Sequence, residues 1–177
     1  MITIGQKLPA FSLKAVSDTS GAFPVLTDAS FSGKWKVFVF WPKDFTFVCP
    51  TEIIGFNDVE GEFADRDAQL IGASTDSDFV HLAWRQSRAD LGAVKYPWLA
   101  DIKKELALAL GVLEPNEGVA FRATIIADPD NIVRYVAAND LSVGRNPAEV
   151  LRVLDALQTD ELCPCNWQKG EDTLKAA

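Results

Sequence analysis

The sequence predicts an α/β protein in which a mixed sheet is flanked by helices. Short apolar runs typical of buried strands alternate with segments whose apolar residues recur at helical spacing. A hairpin signal late in the chain adds antiparallel pairing to this pattern. The length of 177 residues is enough for one domain with a full core and short for two.

The first half of the chain predicts two strand–helix pairs. An apolar run rich in β-branched and aromatic residues predicts a buried strand over 36–41, and apolar residues at helical spacing predict a helix over 50–65. A second buried strand is expected over 69–74. Asp76 or Ser77 can cap the helix that follows, because both side chains accept hydrogen bonds from free backbone N–H groups.

The second half of the chain predicts a hairpin between two further helices. The segment 128–131, Asp-Pro-Asp-Asn, has the composition of a tight turn. The expected elements are a strand at 98–100, a helix at 103–110, hairpin strands at 120–127 and 132–138, and a last helix at 147–158. This order predicts a mixed sheet with helices on both faces.

Beyond Asp160 the chain is rich in charged and turn-forming residues, which predicts an irregular tail. We therefore expect a domain over 1–160 and a C-terminal tail over 161–177. Two of the three cysteines, Cys163 and Cys165, lie in that tail.

The composition limits the classes of partner and site. Seventeen Lys and Arg against 25 Asp and Glu give a net charge of −8, which disfavours nucleic acid and anionic membranes as partners. Neither a transmembrane stretch nor a signal pattern is visible, so a cytoplasmic protein is expected. Three cysteines in a chain of this size indicate catalysis or metal binding rather than a disulfide framework. One alternative is a zinc site built from Cys163, Cys165, His81 and a carboxylate.

The most informative feature is a cysteine where a helix is predicted to begin. Pro50 suits the first helical position, because its missing N–H would have no partner there. Cys49 would then be the N-cap, and Glu52 could reach back to it from the third position. A sulfur at this point faces unpaired N–H groups and the positive end of the helix dipole, which favour the reactive thiolate. The alternative is a buried apolar cysteine that only caps the helix.

A reactive cysteine in the domain and two more on a tail indicate one redox cycle. The Cys49 thiolate would attack an oxidant and become a sulfenic acid, which a second thiol would convert into a disulfide. Attack on a peroxide also needs donors for the leaving oxygen, and Thr46 could supply a hydroxyl. Arg122 is the best candidate for a nearby cation, although the residues alone favour a strand residue extending its charge at a sheet edge.

Several segments resemble one known family. Segment 42–52, PKDFTFVCPTE, is similar to the active-site signature of the peroxiredoxins, and in particular of the typical two-cysteine branch that includes the AhpC subfamily. The segments at 81–84 (HLAW), 118–124 (GVAFRAT) and 162–167 (LCPCNW) resemble further family segments in the expected order. The resemblance therefore covers nearly the whole chain.

The resemblance implies a thioredoxin-like fold with an N-terminal extension, and a role for each site residue. Cys49 would be the peroxidatic cysteine, attacking hydrogen peroxide or an organic hydroperoxide. Pro42 would shield its sulfur from water, and Thr46 would hydrogen-bond the peroxide. Arg122 would stabilise the thiolate and hold the substrate oxygen, while Glu52 would orient Arg122.

The resemblance also implies partners. Cys163 aligns with the resolving cysteine, which in this branch comes from the partner subunit of a homodimer, and such dimers commonly assemble into rings such as decamers. No metal, haem or flavin is implied. The reductant stays open between thioredoxin, a flavoprotein reductase and a small adaptor protein of the AhpD type.

Three departures from the family pattern carry further expectations. Position 165 is cysteine where most members have alanine, so Cys165 could support Cys163 or have no role. The segment 89–92, Ala-Asp-Leu-Gly, replaces a glycine-rich segment of easily overoxidised members, and the tail lacks a tyrosine–phenylalanine pair. We therefore expect resistance to overoxidation.

Asp44, beside the motif, is expected to face solvent or a neighbouring subunit.

Two other functions fit the sequence less well. An oligomeric holdase chaperone would need no reactive Cys49. A general disulfide oxidoreductase usually carries Cys-x-x-Cys at a helix start, and here Glu52 occupies the position of the second cysteine.

Overall fold

The computed structural model describes residues 2–175. The chain divides into a larger unit that ends at Arg145 and a smaller unit that begins at Asn146. The strands of the larger unit are β1 (Ser12–Val16), β2 (Val25–Thr27), β3 (Trp35–Phe40), β4 (Ala68–Ser74), β5 (Trp98–Ala100), β6 (Leu113–Glu114), β7 (Val119–Ala120), β8 (Arg122–Ala127) and β9 (Val133–Asn139). Its helices are α1 (Cys49–Asp58), α2 (Glu60–Ala64), α3 (Asp78–Ser87), α4 (Ala89–Gly92) and α5 (Glu105–Ala109).

Seven strands form one mixed sheet in the order β2-β1-β5-β4-β3-β8-β9. The pairs β3–β4 and β4–β5 are parallel, whereas β3–β8 and the predicted hairpin β8–β9 are antiparallel. The predicted mixed sheet flanked by helices is therefore confirmed. β6 and β7 pair separately as a two-stranded sheet.

The apolar run after Lys36 is explained by the position of β3. This strand lies between β4 and β8, so both of its edges are paired, and successive residues 37–41 are fully buried, so both of its faces are covered as well. From the end of β3, near the centre of the sheet, the chain leads directly into the segment that precedes Cys49.

Two predicted helices differ from the structure. The helix expected over 50–65 is broken at Val59, whose φ of −110° and ψ of 14° lie outside the helical region, and its remainder forms α2. A β-branched residue and the glycine that follows at 61 both weaken helix propagation here. The helix expected over 103–110 is shorter, because Lys104 has a left-handed φ of 62° and the Asp101 carboxylate accepts the N–H groups at the start of α5.

The predicted strand over 120–127 is also divided. Phe121 separates β7, which belongs to the small sheet, from β8 in the main sheet. Arg122 is therefore the first residue of β8, a strand inside the sheet rather than at its edge.

Of the two candidate caps for α3, Ser77 is the one used, and its hydroxyl accepts the N–H of Val80 at 3.2 Å.

As far as residue 175, the smaller unit consists of one helix, α6 (Pro147–Thr159), and the tail after it. Asn146 caps α6 by accepting the N–H of Ala148, and Asp160 ends it in a left-handed conformation with φ of 54°. The described part of the tail contains no helix and only an isolated bridge between Leu162 and Leu174. The predicted irregular tail is therefore confirmed.

Candidate active site

Cys49 is the first residue of α1 and is buried, with 1% of its surface exposed. The predicted N-cap is wrong by one residue, because Val48 occupies the cap and Pro50 is the second helical residue. Glu52 consequently lies one position too far along for a capping box, and the structure records no side-chain cap bond. The sulfur still lies in the first turn, where the helix dipole favours negative charge.

Thr46 is brought against the sulfur by the segment that joins β3 to α1. Its Oγ1 lies 3.0 Å from the Sγ of Cys49 and 2.9 Å from the backbone carbonyl of Lys43. The intervening Phe45 has a left-handed φ of 56°, which is uncommon for a residue other than glycine. Pro42 is buried in the same segment.

Arg122 reaches the sulfur from the start of β8. Its Nη1 donates to the Sγ of Cys49 at 3.4 Å and to Oε2 of Glu52 at 2.6 Å, and its Nε donates to the carbonyl of Leu141 at 2.7 Å. Burial alone would lower the pKa of Arg122, but the hydrogen bond and charge of Cys49, followed by Glu52, raise it above its ordinary value. The guanidinium is thus fixed in place and charged.

Arg145 is a site residue that the sequence analysis missed. Both its backbone N–H and its Nε donate to Oε1 of Glu52, at 2.9 and 2.8 Å, and its Nη1 donates to the carbonyl of Ala123 at 2.7 Å. Its side chain is 5% exposed. Glu52 is thereby held by two arginines, one on each carboxylate oxygen.

The charges of the cluster balance when the sulfur is ionised. Arg122 and Arg145 supply two positive charges, and Glu52 supplies one negative charge. A protonated Cys49 would leave this buried group with one uncompensated positive charge, whereas a thiolate neutralises it. The arrangement therefore favours the nucleophilic form of the sulfur.

Asp44 does not face solvent, so that expectation is wrong. Its side chain is fully buried, accepts the indole N–H of Trp41 at 2.7 Å and lies 2.6 Å from Nδ1 of His81. His81 is itself completely buried in α3. Neither residue is recorded in contact with the sulfur, so their contribution to the site would be indirect.

The other two cysteines lie in the smaller unit, and both are free thiols. Cys163 is half-buried, and its Sγ lies 3.4 Å from Oγ1 of Thr159 and 3.8 Å from the carbonyl of Ala156. Cys165 is exposed. Within residues 2–175 no group of three or more His, Cys, Asp or Glu side chains is placed to hold a metal ion.

A buried sulfur at a helix start, paired with a guanidinium in a thioredoxin-like fold, defines a thiol-based redox enzyme. The AhpC/TSA family model matches residues 4–136. Alkyl hydroperoxide reductase C of Mycobacterium tuberculosis is 52% identical over 186 residues, covering 99% of this chain and 95% of that protein.

Solved structures agree with this match. The Plasmodium vivax 2-Cys peroxiredoxin in its reduced state has a TM-score of 0.92 at 34% identity, covering 99% of this chain and 94% of that one. Mycobacterium bovis AhpC has a TM-score of 0.86 at 49% identity, covering 95% of this chain and 99% of that one.

The chain therefore belongs to the AhpC/TSA family. The predicted resemblance to the AhpC subfamily of the peroxiredoxins, and with it the classification as an oxidoreductase, is confirmed. In the part of the chain that the structure describes, no helix has the length and apolar character required to cross a membrane.

Proposed function

We propose that this chain is a thiol-dependent peroxidase in which Cys49 reduces hydrogen peroxide and organic hydroperoxides. The observation that carries the proposal is the position of one sulfur 3.4 Å from Nη1 of Arg122 and 3.0 Å from Oγ1 of Thr46. A cation and a hydroxyl on the same atom can both ionise the sulfur and hold a peroxide against it.

In the first step the thiolate attacks the terminal oxygen of the hydroperoxide. The S–O bond forms as the O–O bond breaks, so Cys49 becomes a sulfenic acid and the remainder leaves as an alkoxide or hydroxide, which takes up a proton. Negative charge grows on the leaving oxygen, and the N–H groups of Arg122 and the hydroxyl of Thr46 are the nearest donors. Pro42, buried in the same segment, would limit the access of water to the sulfur.

In the second step the Cys163 thiol condenses with the sulfenic acid, forming a disulfide and releasing water. We propose that Cys163 comes from the partner subunit of a homodimer, that dimers assemble into a ring, and that residues 161–177 act as the tail that delivers this thiol. Cys163 must leave its contacts with Thr159 and Ala156 to react. Cys165, which is exposed, would be a secondary thiol.

The third step returns both cysteines to thiols at the expense of a reductant protein. Because the cycle needs a reducing compartment, we propose a cytoplasmic location. The decisive experiment is NADPH or NADH oxidation coupled through thioredoxin, a flavoprotein reductase or an adaptor protein, with a panel of peroxides. Peroxide-dependent oxidation with at least one reductant supports the proposal, whereas its absence with all of them contradicts it.

Replacing Cys163 with serine is expected to separate the two halves of the cycle. Steady-state turnover with a thiol reductant should fall at least about tenfold, because the sulfenic acid loses its partner thiol. A single oxidation of Cys49 by peroxide should continue at the wild-type rate. The matched control is Cys165→Ser, and loss of turnover in that variant alone would show that Cys165 is the resolving residue.

The wild-type protein is expected to resist overoxidation during turnover at high peroxide. Fast condensation with Cys163 leaves the sulfenic acid little time to react again, so sulfinic Cys49 should accumulate at least about tenfold more slowly than in Cys163→Ser. Mass spectrometry of the peptide containing Cys49 after repeated cycles measures this. Equal rates of accumulation in the two proteins would contradict the expectation.

A further inference from the structure

A buried polar network lies beside the active-site loop, defined here as residues 42–48. Its centre is the side chain of Asp44, whose two oxygens meet the indole N–H of Trp41 at 2.7 Å and Nδ1 of His81 at 2.6 Å. The side chains of Asp44 and His81 are both 0% exposed. The reaction proposed above uses neither residue, so the network needs another explanation.

Both ring nitrogens of His81 face hydrogen-bond acceptors. Nδ1 faces the carboxylate of Asp44, and Nε2 lies 3.2 Å from the backbone carbonyl of Leu99. A carbonyl accepts, and so does an ionised carboxylate, so with Asp44 ionised the two contacts are hydrogen bonds together only when both nitrogens carry a proton. A neutral ring would leave one of these buried oxygens without its donor. The geometry therefore fits an imidazolium–carboxylate ion pair.

The charged groups around this pair are consistent with it. Asp76 contacts the active-site loop. Its Oδ2 accepts a hydrogen bond from the backbone N–H of Asp44 at 2.9 Å, and a second from the hydroxyl of Ser74 at 2.8 Å. Burial, and next the charge of Asp44, raise the pKa of Asp76. Arg85 lies on the same helix as His81, with its guanidinium 4.0 Å from the ring of Trp98, and its charge interacts with Asp44. One further acid and one further cation thus accompany the pair.

The network fixes the loop at the residue next to its strained point. Asp44 is held through its side chain and through its backbone N–H, and Phe45 directly after it has the left-handed φ of 56°. Such a conformation persists only where the surrounding contacts impose it. One residue further on, the Thr46 hydroxyl lies 3.0 Å from the Cys49 sulfur. The contacts of Asp44 therefore reach the reacting atoms through the loop backbone.

We propose that Asp44 and His81 form a buried ion pair that positions the active-site loop, and with it Thr46, for the reaction of Cys49 with peroxide. This inference rests on the proposed peroxidase function. Asp44 and His81 are positioning residues, because they act through the backbone and touch neither the sulfur nor the substrate site.

The protonation of His81 can be measured directly, because the chain contains one histidine. In protein without a histidine tag, nitrogen NMR of the imidazole is expected to show both ring nitrogens protonated at neutral pH. In Asp44→Asn the new amide can accept from Trp41 and donate to Nδ1, so His81 should become neutral with its proton on Nε2. A neutral His81 in the wild-type protein would overturn the ion pair.

The positioning role is tested by comparing two reactions of the same sulfur. In Asp44→Ala the rate constant for oxidation of Cys49 by peroxide should fall at least about tenfold, because Thr46 is displaced. Alkylation by iodoacetamide at neutral pH should fall by no more than about threefold, because the thiolate loses the hydroxyl of Thr46 but keeps the charge of Arg122, which Glu52 still orients. In Asp44→Asn, which keeps the hydrogen bonds, the rate constant for oxidation of Cys49 should stay within about threefold of wild type. The matched control is Asp90→Ala, an exposed acid bound to Arg88, which should leave both rates unchanged.

An unchanged oxidation rate in Asp44→Ala would overturn the positioning role, and so would a parallel loss of alkylation. If Asp44→Ala does not fold, His81→Ala removes the same contact from α3 without offering a new donor, and should show the same difference between oxidation and alkylation. Failure of the proposed function is distinguishable, because a wild-type protein that does not react with peroxide would still report the state of His81 by NMR.

Discussion

Replacing Cys49 with serine is expected to abolish peroxide-dependent thiol oxidation, lowering kcat/KM at least about a thousandfold, or about 4 kcal/mol of transition-state stabilisation. The sulfur is the only atom in the cluster that can form the S–O bond, and a serine hydroxyl stays protonated beside Arg122. Stopped-flow peroxide consumption and the coupled reductant assay both measure this loss.

The substitution should leave the fold intact. Cys49 and serine are close in size, and Glu52 keeps its ion pairs with Arg122 and Arg145, so the fold should persist although the cluster loses the negative charge of the thiolate. Cys165→Ser, which changes an exposed thiol, is the control and should keep the activity within a few-fold. Peroxide turnover at an undiminished rate in Cys49→Ser would show that another thiol carries the reaction.

The parts of the site that depend on local sequence could be predicted. A strand rich in Val and Phe, followed by Thr46, Cys49 and Pro50, defines a strand–loop–helix unit whose geometry is set within about a dozen residues. The structure accordingly places Thr46 beside the sulfur. Two details of this unit differ from the prediction: the cap lies one residue earlier, which is the usual uncertainty of a helix start, and Asp44 is buried.

The parts that depend on long-range packing could not be predicted from the residues. Arg145 contacts Glu52 across 93 positions, and no spacing or local pattern connects the two. From the residues alone, Arg122 is predicted to extend its charge at a sheet edge, and only the resemblance to a family assigns it to the site. Asp44 looked like an exposed acid because its partner, His81, lies 37 residues away on another element. In each case a buried polar residue contacts a partner that is distant in the sequence and close only in the folded chain.

Removal of the Arg122 guanidinium has the second large expected effect, because this group supplies both a positive charge and hydrogen-bond donors to the site. Arg122→Met is expected to lower the rate constant of Cys49 with peroxide by about a hundred- to a thousandfold, as for removal of one transition-state donor. It should also slow alkylation by iodoacetamide at neutral pH, because the thiolate loses its cation. Glu52 keeps Arg145, so the loss of unfolding free energy should stay below the ~3–5 kcal/mol expected for an unpaired buried charge.

Arg122→Lys separates the two contributions of the guanidinium. A lysine supplies the positive charge but cannot donate to the Cys49 sulfur, Glu52 and the carbonyl of Leu141 at once in the planar arrangement of Arg122. Alkylation should therefore stay within a few-fold of wild type, while the peroxide rate should still fall about tenfold or more. Arg134→Lys, an exposed arginine on the neighbouring strand, is the control. If Arg122→Lys reacted with peroxide as fast as wild type, positive charge alone would be the requirement, and the hydrogen bonds of the guanidinium would be structural.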